Sequence, residues 1–278
     1  MRRIAAFIKQ NKKWNIALWV CINLFLLVSL IALNSKEKNL KVKRITVKIF
    51  PENELYFLDS AAILEIMKGI EPNMMIVGGK IGFLKIDEME ADLEANPFVE
   101  QADISVDVAG NMRVKILQRS PVLRVFNNKA QSYYVAKNGY KIPVNSAFTA
   151  RVIVATGNIN ENLSDSAFPK TMVLRDLYQV AAYCNDNEFW NAQIEQLYVD
   201  NYNDIILVPK VGNHTIVVGS ANNMEEKFAH LKDFYTKGLN NLGWDKYKLI
   251  NLKYKNQIVA EKFGNWIPRL DSLRINKK

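Results

Sequence analysis

Few residues of this chain have the type and spacing that catalysis or metal binding requires. Its two histidines, His214 and His230, fall in a predicted turn and on the polar side of a predicted helix. Neither has a Cys, Asp or Glu at metal-ligand spacing. Gly78-Gly79-Lys80 invites a phosphate-loop reading, but the glycine spacing is wrong and Ile81 stands where Ser or Thr should follow the lysine. No G-x-S-x-G elbow is present. Glu225-Glu226 reads as the first turn of a helix near its positive end, and Asp87, Glu88 and Glu90 as the solvated side of another. Of the two cysteines, Cys21 lies in an apolar run and Cys184 on the apolar face of a predicted helix, so no disulfide framework is expected. The inventory implies no catalytic residue, cofactor, metal or small-molecule substrate, and it turns attention to binding by surfaces.

Charge separates the chain into unequal parts. The whole carries 37 Lys/Arg and 28 Asp/Glu, of which residues 1–50 hold 11 and one. The remainder is nearly neutral and offers no footprint for nucleic acid. Within the basic segment, Ile16–Leu33 is an uncharged apolar run broken only by Asn23 and Ser29. As a helix rising 1.5 Å per residue it would just cross a hydrocarbon core of about 30 Å, so a membrane anchor is expected there. A cleaved signal peptide fits less well, because the run is long and Ile31-Ala32-Leu33-Asn34 is a poor cleavage site. Basic residues flank both ends, so charge alone leaves topology open.

Beyond a polar linker, alternation predicts a strand over Arg44–Phe50. A helix capped by Asp59 or Ser60 places Ile63, Ile66, Met67 and Ile70 on one face. A second helix, Asp87–Ala95, turns Met89 and Leu93 inward and stops at Asn96-Pro97. Val99–Val108 and Met112–Gln118 form a hairpin through Ala109-Gly110-Asn111. This β-α-α-β-β order makes a compact unit with both helices on one sheet face. From Ser120 the pattern becomes mostly strands: Pro121–Phe126, Ser132–Lys137, Tyr140–Val144, Arg151–Thr156, Ile194–Val199, Asp204–Pro209 and Thr215–Val218. Helices are predicted over Lys170–Asn185 and from Asn222 or Asn223 to about Leu239. A last alternating strand spans Leu249–Glu261.

The run Asn96–Val125 resembles the FtsQ/DivIB cell-division family, with Pro97, Val99, Ala102, Val114, Ile116, Arg119, Pro121 and Val122 carrying the signature. Tyr133–Val144, Val152–Gly157, Ile216–Leu231 and Ile250–Lys262 resemble later passages of that family in order, although Gln257 stands where it often has Gly. The resemblance implies an α+β chain: one N-terminal transmembrane helix, a POTRA β-α-α-β-β module, then a mostly antiparallel β domain with peripheral helices. The corresponding segments are a cytoplasmic tail (1–13), a transmembrane helix (14–34), a linker (35–43), a POTRA domain (44–119), a β domain (120–262) and a C-terminal tail (263–278). It further implies a non-enzymatic divisome scaffold in the inner membrane at the division site, with the bulk outside the cytoplasm. Such a scaffold would bind FtsB- and FtsL-like bitopic proteins near the closing strand. Ile250, Leu252, Tyr254, Ile258 and Val259 are the candidate partner-binding residues, because a sheet edge has unpaired backbone groups that accept an added strand. An export-type POTRA protein and an envelope hydrolase without a recognisable motif are the alternative readings.

Overall fold

The computed structural model describes residues 18–29, 40–50, 57–70, 76–146 and 148–264. The basic leader, both ends of Ile16–Leu33, linker residues 35–39 and the tail beyond Gly264 lie outside the described residues. The first described helix, α1, covers residues 18–29. Twelve residues rise about 18 Å, well short of a hydrocarbon core. No helix among the described residues is long and apolar enough to cross a membrane. The expected transmembrane helix in the fold is therefore corrected to a short apolar helix.

The chain divides into two units, one of Met1–Glu54 with Leu58–Gln118 and one of Leu55–Phe57 with Arg119–Lys278. In the first unit, β1 (Arg44–Phe50) is followed by α2 (Ser60–Ile70), α3 (Ile86–Glu94), β2 (Val99–Val106) and β3 (Asn111–Gln118). The sheet order is β1-β3-β2, with β1 parallel and β2 antiparallel to β3. Asp59 caps α2 by accepting from the Ala62 amide, which satisfies one of the helix's orphan donors. Ile63 and Met67 of α2 and Met89 and Leu93 of α3 are fully buried against Ile104, Met112, Val114 and Ile116. Alternation along each strand thus sends one face to the helices and the other to solvent. The β2–β3 turn is fixed by Asp107, whose Oδ1 accepts from the amides of Ala109 and Asn111. Gly110 follows at φ +87°, where a Cβ would collide with the Lys41 carbonyl.

The second unit is built on nine strands. β4 (Pro121–Phe126), β5 (Ser132–Ala136), β6 (Lys141–Pro143) and β7 (Ile153–Gly157) come first. The helices α4 (Met172–Asn185) and α5 (Glu188–Gln193) lead to β8 (Ile194–Val199), β9 (Ile205–Pro209) and β10 (Thr215–Gly219). Next comes α6 (Met224–Asp233), which runs into a π-helical segment, Phe234–Leu239, before β11 (Tyr247–Asn251) and β12 (Val259–Lys262). The sheet order is β12-β11-β10-β9-β8-β7-β4-β5-β6. Five of the eight pairings are antiparallel, and β4–β7, β7–β8 and β10–β11 are parallel, so the sheet is mixed but mostly antiparallel. For β7–β8 and β10–β11 the physical reason lies in the helices: a strand that leads through a helix back to the same sheet is set up for a parallel neighbour. Both α4–α5 and α6 are such crossovers.

Leu174, Leu177, Val180, Ala181 and Cys184 of α4, Trp190 of α5, and Phe228 and Leu231 of α6 pack with Leu123, Leu197, Leu207, Ile216 and Ile250 of the sheet. Cys184 is fully buried, and burial pushes its thiol up to about 12, consistent with a packing role. Asn223 precedes α6 in the left-handed conformation and its side chain gives no capping bond. Thr171, by contrast, caps α4 through its hydroxyl, which accepts from the Leu174 amide.

Candidate partner-binding edge

The last stretch, read from sequence as one alternating strand, folds back on itself as a hairpin. β11 lies inside the sheet and β12 at its edge, with Leu249 opposite Glu261, Ile250 opposite Ala260 and Asn251 opposite Val259. Residues 252–258 form the connection, and Asn256 takes the left-handed conformation at φ +58°. Asparagine tolerates that region better than most residues, so no glycine is needed at Gln257.

The five candidate residues separate into two groups. Ile250 and Leu252 are buried among the core side chains. Tyr254 and Val259 are about half exposed, at 51% and 46%, and Ile258 is intermediate. Of the signature residues, Pro97 follows the end of α3 and Val99 opens β2 fully buried. Pro121 opens β4, and Arg119 stacks its guanidinium on Tyr140 with 3.9 Å to the ring centroid. These four support the fold and do not meet at the closing hairpin.

Among the described residues, β12 pairs on one side only. The Phe263 amide donates inward to the Lys246 carbonyl. By alternation, the amides of Ala260 and Lys262 point to the open side. Phe263 is exposed beside them, as are Lys246, Lys255 and Lys262. The edge therefore combines unpaired backbone, apolar side chains and positive charge. Two ion pairs brace it. Lys248 of β11, almost fully buried, reaches Glu261 across the hairpin, and Lys253 pairs with Asp204. The hydrogen bond to Asp204 holds the Lys253 ammonium above its ordinary pKa. A cleft of about 110 Å³ separates the hairpin turn from α6, lined by Glu226, Lys227 and His230 on one side and Leu252, Tyr254 and Ile258 on the other. Lys227 does not offer a free cation there, because its Nζ donates to the carbonyls of Val218 and Ser220.

The densest electrostatic arrangement lies elsewhere in the second unit and is structural. Lys141 and Glu161 form a buried ion pair at 3.1 Å. Glu161 also accepts from the Thr171 amide at 2.7 Å, the Thr171 hydroxyl at 2.8 Å and the Lys170 amide at 3.0 Å, just ahead of α4. Burial alone would raise this carboxyl's pKa. The donors outweigh it and hold the group below the usual carboxylate range. His214 is buried too, its Nε2 2.7 Å from the Tyr235 hydroxyl, and burial pushes its pKa down to about 4. Sequence reading missed the ion pair: Lys141 sits in a short strand and Glu161 in a loop, and no spacing rule joins them. Among the described residues no group of three or more His, Cys, Asp or Glu could hold a metal ion.

A family model described as "FtsQ/DivIB, C-terminal related" matches residues 120–261. The chain belongs to the FtsQ/DivIB C-terminal related family. That match runs from the start of β4 to the edge strand β12, so the nine-stranded sheet and its closing hairpin are the family's part of the molecule. Membership in the FtsQ/DivIB-related family associates the chain with cell division. A comparison with curated proteins gave no match.

Proposed function

We propose that this chain is a non-enzymatic scaffold of cell division whose closing hairpin receives a strand from a partner protein. The observation that carries the reading is the single-sided pairing of β12, with Tyr254, Val259 and Phe263 exposed around it. A partner strand added there would gain backbone hydrogen bonds from the open amides and bury those side chains. The surrounding lysines favour a partner segment with acidic residues, which would speed encounter and fix its register. From the family resemblance, FtsB- and FtsL-like proteins are the partners to test.

The test is substitution at the open side of β12. Ala260→Pro removes one outward N–H and leaves the inner ladder intact, a placement that edge strands tolerate. The expected result is loss of most FtsB/FtsL capture in pull-down, with circular dichroism and thermal unfolding unchanged. Tyr254→Ser should weaken capture less. Full capture by a folded Ala260→Pro chain would overturn the edge-strand reading.

A further inference from the structure

The solvent side of the three-stranded sheet in the first unit is a flat cationic face. Inward residues alternate with outward ones along β1 and β3, and along β2 beyond a bulge at Glu100, so register sets the outer face. Thr46 lies opposite Arg113, and Arg113 opposite Ser105. Lys48 lies opposite Lys115, and Lys115 opposite Asp103. Phe50, Leu117 and Gln101 complete the lower row, and Arg44 stands at the top of β1. Arg44, Lys48, Arg113 and Lys115 are all exposed, and Lys41 and Lys43 precede them on exposed chain. Three acids lie among these cations: Asp103 pairs with Lys115 at 3.1 Å, Asp107 pairs with Arg113 at 3.3 Å, and Glu100 stands exposed on β2. The face and the chain leading into it thus carry six cations against three carboxylates.

Across the β1–β3 pair Lys48 faces Lys115, a like-charge contact that the Asp103 carboxylate offsets from the far side. A plane of negative charge would offset it further. Strands spaced about 4.8 Å apart, with outward residues about 7 Å apart along each, spread the cations as a sheet of points rather than as a pocket or groove. No aromatic platform for stacked bases accompanies them, which argues against single-stranded nucleic acid. The same unit contains α1, whose Leu18, Trp19, Leu24, Phe25 and Leu27 are more than half exposed. Apolar exposure of that extent marks a surface for lipid or protein.

We propose that the outer face of the β1-β3-β2 sheet docks on anionic phospholipid headgroups, through Arg44, Lys48, Arg113 and Lys115. Each basic side chain near such a surface contributes about fivefold to binding, or about 1 kcal/mol. The interaction is screened over about 10 Å at 0.1 M salt. Docking of this face lies outside partner capture at β12 and does not depend on it.

The experiment is amine acetylation read by mass spectrometry on the full chain bound to vesicles. Vesicles of phosphatidylcholine alone are compared with vesicles that also contain phosphatidylglycerol. Association through apolar residues is common to both, and the basic leader and linker can add to binding on the anionic vesicles, so the face is read from protection at its own lysines and from its own variant. Lys48 and Lys115 should react several-fold more slowly on the anionic vesicles, and the protection should vanish in high salt. Lys170 and Lys210 of the second unit should react equally on both. Arg44→Gln together with Arg113→Gln should weaken docking about 25-fold, two factors of about five, and restore reactivity at Lys48 and Lys115. Both substitutions are on exposed side chains, and circular dichroism checks the fold. Equal reactivity of Lys48 and Lys115 on the two kinds of vesicle overturns the proposal. Equal protection by a soluble polyanion without vesicles overturns it in favour of a polymer partner.

Discussion

Removing the Glu161 carboxylate should unfold the second unit more readily than any surface change. In Glu161→Ala, Lys141 Nζ keeps the Asn162 carbonyl at 2.7 Å but loses its counter-charge in a site closed to water. The Thr171 amide and hydroxyl and the Lys170 amide lose their acceptor at the same time. Breaking a buried pair from one side costs about 3–5 kcal/mol, because an uncompensated charge remains. With an unfolding entropy of about 2.1 cal/mol/K per residue, a unit of about 150 residues loses about 0.3 kcal/mol per degree, so about 4 kcal/mol lowers Tm by about 13 °C. The assay is thermal unfolding followed by near-ultraviolet circular dichroism, whose aromatic signal is rich in second-unit residues such as Trp190, Tyr133 and Phe228. The double variant Lys141→Met/Glu161→Gln removes both charges and should recover at least half of the loss. A single variant within about 1 kcal/mol of the parent, or a double variant as costly as the two singles added, would refute this account of the pair.

Two further outcomes follow from the second unit. His214 has a folded pKa near 4 against about 6.5 when unfolded, so the unfolded chain binds the extra proton. Stability is then fully present above pH 6.5 and falls as pH drops towards 4, by up to about 3 kcal/mol. Urea midpoints between pH 7 and pH 5 should fall more steeply for the parent than for His214→Gln, and identical slopes would count against a neutral buried imidazole. Gly157 at φ +101° lies against the backbone of Val199 across the β7–β8 pair. Gly157→Ala should cost at least about 2 kcal/mol, from both the backbone conformation and the overlap. A chain with unchanged urea midpoint would show that the two strands can part there without penalty.

The closing segment shows where reading by pattern stopped. Leu249–Glu261 alternates in sequence, yet the chain turns at residues 252–258. Period-two alternation marks residues that can lie in a strand and is silent on where a strand reverses. The turn is made by Asn256 in a left-handed conformation, a weaker signal than the Asn138-Gly139 turn ahead of β6. As a result Ile250 and Leu252 belong to the core, and the exposed edge consists of Val259–Lys262 with Tyr254 and Phe263 nearby. The short helix α5 and its buried Trp190 were likewise unread, since six residues are too few to display a helical period.

By itself the sequence determined most of the elements and their inward faces. The spacing of Ile63 and Met67, of Met89 and Leu93, and of Leu174, Leu177 and Cys184 shows which side of each helix is buried, because amphipathic periodicity is local. It also determined that no catalytic or metal constellation stood at close spacing, and its ordered signatures pointed to the family that residues 120–261 match. Tertiary structure alone decided which strands are neighbours, and with them the mixed sheet and the place of β12 at one of its two edges. It also joined Lys141 to Glu161, 20 positions away, and His214 to Tyr235, 21 away. Such pairings depend on how distant segments satisfy buried charge and backbone groups together, and no local period records that.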